Sequence, residues 1–154
     1  MSTPDFFRTY PEPPGETSAS NAIARMIDGL GFRLYWALRG LEEKDCLFRP
    51  SDDAYSIHEI LYHILGLLNW VYKQVFGSEL VRPEQSLEQG ELSLRTLETL
   101  RDFFISVDDR ELEQYQLDDR PFWSFINMPL SDALHHVGQV SILRRVAGNP
   151  IPKE

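Results

Sequence analysis

Four apolar stripes at helical spacing, separated by breaks rich in proline, glycine and acidic turn formers, constrain this chain more than any other feature. Ile23, Ile27, Leu30, Leu34 and Leu38 form the first stripe; Ile60, Ile64, Leu67, Leu68, Val71 and Val75 form the second. Leu94, Leu97, Leu100, Phe103 and Phe104 form the third; Ala133, Leu134, Val137, Val140, Leu143 and Ala147 form the fourth. Residues three and four apart share one face of a helix, so each stripe is a buried edge seeking a partner. No segment shows the strict alternation of a half-buried strand, and no internal repeat is visible. The pattern predicts an all-α chain, with four principal helices packed as a four-helix bundle.

The ends of these helices are marked in the sequence. Ser18, Ser20 and Asn21 offer caps for a first helix over residues 20–40, and Gly40 offers a stop. Ser56 followed by Glu59 makes a capping box that starts the second helix, which Gly77 ends. Residues 41–55 and 78–92 read as connections, the second because it is polar and holds Pro83 and Gly90. The third helix is expected over residues 93–106. Residues 110–128 read as a long irregular connection with short helical turns. The last helix is expected from Pro129, a good first-turn residue, to the Gly148-Asn149-Pro150 stop. Residues 1–17 contain Pro4, Pro11, Pro13 and Pro14 and cannot form a regular helix. With Phe6, Phe7 and Tyr10 they read as an extended arm that packs along the bundle or on a neighbouring subunit. Residues 18–154 then form one domain.

Charge and cysteine usage narrow the partners. The 24 acidic and 15 basic residues give a formal net charge of −9, which argues against a nucleic-acid partner. Arg144-Arg145 is the one adjacent basic pair. One cysteine, Cys46, rules out an intrachain disulfide and fits a reducing compartment. The apolar run around residues 64–71 is broken by Gly66 and Asn69, so no membrane span is expected. The N-terminus lacks the charge and apolar run of a signal peptide, and a cytoplasmic protein is expected.

Chemistry enters at Asp132-Ala133-Leu134-His135-His136-Val137-Gly138-Gln139. Asp132 and His136 are four residues apart, about 40° around a helix and about 6 Å along it. His63 lies in the second helix, flanked by Ile60, Ile64 and Leu67. Brought together, His63, Asp132 and His136 would make a three-ligand metal site with open positions. A histidine on an apolar helix face is also often an ordinary core residue, and an Asp/His pair at this spacing is often only a side-chain pair. His58 is roughly 140° from His63, and His135 about 100° from His136, so neither is expected in the cluster. Gln139 is placed to support His136 from behind, and Tyr62, Trp123 and Asn127 are candidate pocket residues.

These residues carry a resemblance to the DinB-like (DinB/YfiT) superfamily. That family shows a histidine inside its second helix, matched by Leu61-Tyr62-His63-Ile64. It shows a His-x-x-x-His pair on a later helix, often followed by Gly-Gln; His136-Val137-Gly138-Gln139 matches its second half. Residues 127–134 and 144–150 look like one subgroup, and the resemblance covers roughly residues 20–150. Asp132 stands where histidine is commoner; a carboxylate is an acceptable oxygen ligand. The resemblance implies a DinB/YfiT-type four-helix bundle, a divalent metal (Zn, Ni, Fe or Mn) held by three side chains plus water, and a homodimer. It also implies a metal-dependent transferase or hydrolase acting on a small molecule, with metal-activated water or a low-molecular-weight thiol as nucleophile. Two histidines and a carboxylate also match the facial triad of non-haem iron oxygenases, which belong to a different fold. The competing reading is a non-catalytic binding or stress-response bundle whose metal is structural or absent.

Overall fold

A computed structural model describes residues 5–152; the first four residues of the expected arm and the last two of the chain lie outside it. Among the described residues the structure is helical, with one isolated β-bridge between Leu117 and Arg120. A 3-10 turn, Asp5–Arg8, precedes α1 (Ala19–Leu38). Then follow α2 (Glu43–Cys46), α3 (Ile57–Phe76), α4 (Ser86–Ser106), α5 (Asp109–Leu112), a π turn (Ile126–Leu130) and α6 (Ser131–Val146). The four long helices close a ring in which α1 packs on α4, α4 on α3, α3 on α6 and α6 on α1. Ile27, Leu34, Ile64, Leu68, Leu97, Leu100 and Val140 are fully buried inside it. Among the described residues no helix is long and apolar enough to cross a membrane.

Local chemistry sets some helix ends. Ser56 Oγ accepts from Glu59 N at 3.2 Å, and the Glu59 carboxylate accepts from Ser56 N at 2.7 Å, completing the capping box of α3. Gly77 ends that helix at φ +71°, in the left-handed region that glycine enters without a Cβ penalty. Ser18 Oγ accepts from Asn21 N at 3.1 Å to start α1.

Other ends are capped from a distance. Asp109, in α5, accepts from Ala19 N at 3.2 Å and Ser20 N at 3.1 Å. Those bonds, the one from Ser20 first, hold its carboxyl below the usual carboxylate range. Glu43, in α2, accepts from Ser86 N at 3.3 Å and Leu87 N at 2.7 Å. This remote cap lets α4 begin at Ser86, so residues 86–92 are helix and not the expected connection. Gly90 is inside that helix because Leu38 of α1 lies on it: a Cβ there would sit 2.6 Å from a Leu38 methyl. The polar look of the segment also has a cause, since Ser93 is buried and its hydroxyl donates to Gln89 O at 2.8 Å.

The described part of the arm packs on its own bundle, and residues 5–8 of it form one 3-10 turn rather than extended chain. Phe7 is fully buried over Gly31, where a Cβ would come within 2.5 Å of the ring. Trp36 Nε1 donates to Arg8 O at 3.2 Å, and Arg25 donates to Pro11 O at 2.7 Å. Arg101 donates to Glu12 O at 3.0 Å and pairs with the fully buried Asp28.

Arg144 of α6 is fully buried. Its guanidinium donates to the carbonyls of Ala37 at 2.8 Å, Arg39 at 2.9 Å and Trp36 at 3.3 Å, at the open end of α1. It also donates to Asn149 O at 3.0 Å. A cation at a helix C-terminus satisfies orphan carbonyls and complements the dipole. The Arg144→Met variant should lose on the order of 3 kcal/mol in urea unfolding, because those carbonyls would stay buried without donors. A loss below about 1 kcal/mol would show that they find other donors.

Candidate metal centre

The site lies on the seam between α3 and α6. His63 is in the second turn of α3, and its place follows from the Ser56 cap. Asp132 and His136 lie one turn apart on α6, Asp132 in its first turn. The π turn Ile126–Leu130 delivers the chain to that turn, with Pro129 inside it. Ser131 N donates to Ile126 O across the wide turn, and Ser131 Oγ donates to the same carbonyl at 2.6 Å. Proline lacks an N–H, and a widened turn accommodates it without ending the helix.

The structure brings His63, Asp132 and His136 together. His63 Nε2 is 3.3 Å from Asp132 Oδ2, and His136 Nε2 is 3.4 Å from Asp132 Oδ1. The imidazole centroids are 4.6 Å apart with the planes at 88°. One ligand atom from each residue lies within 4.8 Å of the others, so the group could hold a metal ion. Ligand bonds of about 2.1 Å in a tetrahedral arrangement separate donor atoms by about 3.4 Å. The two carboxylate–imidazole spacings are of that size but reach different oxygens of Asp132, so a single shared oxygen would require the side chains to adjust. The His63 and Asp132 side chains are 51% and 45% exposed, and that of His136 is 14% exposed. The cluster therefore opens to solvent on the His63 and Asp132 side.

Gln139 decides which nitrogen of His136 is available. Its Oε1 accepts from His136 Nδ1 at 2.7 Å, while its Nε2 donates to His135 Nε2 at 3.1 Å. With the proton on Nδ1, the neutral ring of His136 has its lone pair on Nε2, 3.4 Å from Asp132 Oδ1. Two acceptor atoms at that spacing suit a cation held between them, and a second proton on the ring would make the same contact an ion pair.

Two cavities flank the cluster. On one side a cavity of about 450 Å³ is lined by Tyr55, His58, Glu59, Ile60, Tyr62 and His63. On the other, a cavity of about 440 Å³ is lined by residues that include Trp70, Asn127, Met128, Ser131, Asp132 and His135. Tyr62 and Asn127 thus each line a wall beside a cluster residue. Trp123 lines neither: it points outward, because Phe125 takes the buried place in that turn. His58 and His135, which helical angles set apart from the cluster, each reach a flanking cavity. His58 is held there by Ser86 Oγ, 2.8 Å from its Nδ1. Tyr55, Trp70 and Ser131 carried no sequence signal for the site. Cys46 is buried away from it, and burial pushes its thiol up to about 11, so it is protonated at neutral pH.

Comparison of this chain with models of known protein families, with curated proteins and with solved structures finds no match.

The Gln139→Leu variant should weaken metal binding about 10- to 100-fold in a competition titration, since it frees His136 to rotate and to take the other tautomer. Unchanged affinity would show that Gln139 does not orient the ligand.

Proposed function

We propose that this chain is a metal-dependent enzyme of the DinB-like (DinB/YfiT) four-helix-bundle type, acting on a small molecule as a transferase or hydrolase. The observation that carries the reading is the convergence of His63, Asp132 and His136 on a solvent-open patch between two cavities. The ring of four long helices and the Gly138-Gln139 sequence after His136 add support. Two imidazoles and one carboxylate accept Zn, Ni, Fe or Mn. A divalent cation held by these three side chains supplies Lewis acidity, which lowers the pKa of water or of a low-molecular-weight thiol.

The chain's own residues do the rest. Gln139 fixes the tautomer of His136. Asp132 brings the negative charge that offsets a divalent cation, in place of the neutral imidazole commoner in the family. The exposed edges of His63 and Asp132 leave the approach to the cluster open, as a catalytic site requires and a sealed structural site does not. A cytoplasmic location belongs to the same reading, supported by the single free cysteine. So does a homodimer, which rests on the resemblance; the aromatic arm no longer argues for it, being packed on its own bundle. Light scattering should give twice the 17.9 kDa chain mass, and a monomer across micromolar concentrations would remove the dimer from the reading.

Elemental analysis of protein purified without a metal-affinity tag should find about one divalent metal per chain, lost in the His63→Ala, His136→Ala double variant. A screen of thiol-transfer and hydrolysis substrates should find activity that appears on metal loading and is absent from His136→Ala. Protein that holds no metal under any loading condition would overturn the reading.

A further inference from the structure

The two cavities beside the cluster both carry apolar and aromatic lining, and the His63 side is the one with two tyrosine rings. The Asp132 side combines Leu67, Trp70 and Met128 with the polar groups of Asn127, Ser131, Asp132 and His135. The His63 side presents two tyrosine rings and Ile60, with the Glu59 carboxylate and Nδ1 of His58 engaged elsewhere. The Glu59 carboxylate accepts from Ser56 N at 2.7 Å and from Arg49 at 3.1 Å. His58 Nδ1 is taken by Ser86. Tyr55 and Tyr62 are 71% and 48% exposed, a large aromatic area left to water next to a site that opens on the same wall.

Tyr62 is braced. The Arg82 guanidinium lies 4.8 Å from its ring centroid. Arg82 reaches that position over Gly66, one turn along α3, where a Cβ would stand 3.3 Å from a guanidinium nitrogen. A ring held in this way loses little freedom when a second flat group packs on it. The cavity volume lies in the range that takes a small organic molecule.

We infer that the substrate carries a planar apolar body, an aryl group or its equivalent, which seats against Tyr55 and Tyr62 while its polar reactive end meets the His63/Asp132/His136 cluster. The inference rests on the metal-centre reading and adds the substrate class to it.

Isothermal titration of the zinc-loaded full chain with benzohydroxamate and acetohydroxamate tests it. Both probes carry the same chelating group, and they differ by a phenyl in place of a methyl. Benzohydroxamate should bind about tenfold or more tightly than acetohydroxamate. Tyr62→Ala and, separately, Tyr55→Ala should each shrink that ratio toward one at unchanged zinc content. Trp123→Ala, on an outward ring away from the cavity, should leave the ratio as it is. Equal affinities in the parent protein, or a ratio that survives both tyrosine variants, would overturn the inference and leave the metal reading standing. Failure of both probes to bind the zinc-loaded protein would remove the open coordination position, and the inference with it.

Discussion

The buried guanidinium of Arg144 ties the molecule together. It belongs to α6, yet its Nη1 donates to three carbonyls at the end of α1, while Nε and Nη2 serve Asn149. Each bond has a fixed direction, so the set fixes how far α6 can slide or rotate against α1. The lock extends through Asn149, whose Nδ2 donates to Gly40 O at 2.9 Å and to Asp45 at 2.7 Å. That hydrogen bond to Asn149 is the main reason the Asp45 carboxyl lies below its ordinary range. His136 is eight residues before Arg144 on the same helix, about 12 Å away along its axis. The register set at one end of α6 therefore decides where the Asp132 and His136 side chains stand against α3 at the other.

The same logic separates what the sequence made legible from what it did not. α3 was readable end to end because its caps are local: Ser56 with Glu59, and Gly77, act within their own turns. α1 was readable from its stripe and the local Ser18 cap, although Asp109 and Arg144 complete its two ends from a distance. α4 was readable only from its apolar stripe. Its first turn is capped by Glu43, which is distant in sequence, and its one glycine marks a close helix approach instead of a break. Arg144 was equally opaque. A basic pair at the end of a helix looks like surface charge, and only the fold shows that its first member points inward.

The candidate site divides along similar lines. Spacing along α6 placed Asp132 and His136 on one patch, because that inference needs only the pitch of a helix. His63 could be nominated but not placed, since its meeting with α6 depends on the packing of two helices. Angular arithmetic put His58 and His135 away from the cluster, and neither is a member of it. That arithmetic describes where a Cβ departs, not how far a ring reaches. His58, turned by its bond to Ser86, still borders the cavity beside His63. Trp123 was singled out as an aromatic near the site, but the turn it occupies has one inward place and Phe125 fills it.

Solvent exposure explains how the chain tolerates this cluster. Two imidazoles packed on one carboxylate would be costly in a dry core, where an unpaired charge is strongly destabilising. Here the carboxylate and one imidazole are half in water, and the more buried imidazole has its proton committed to Gln139. Gln139, on the same helix, therefore leaves Nε2 as the uncommitted nitrogen of His136, 3.4 Å from Asp132 Oδ1. The arrangement is held from outside, by Gln139 behind His136 and by the helix register that Arg144 sets. The open face between the two cavities is left free for whatever the cluster binds.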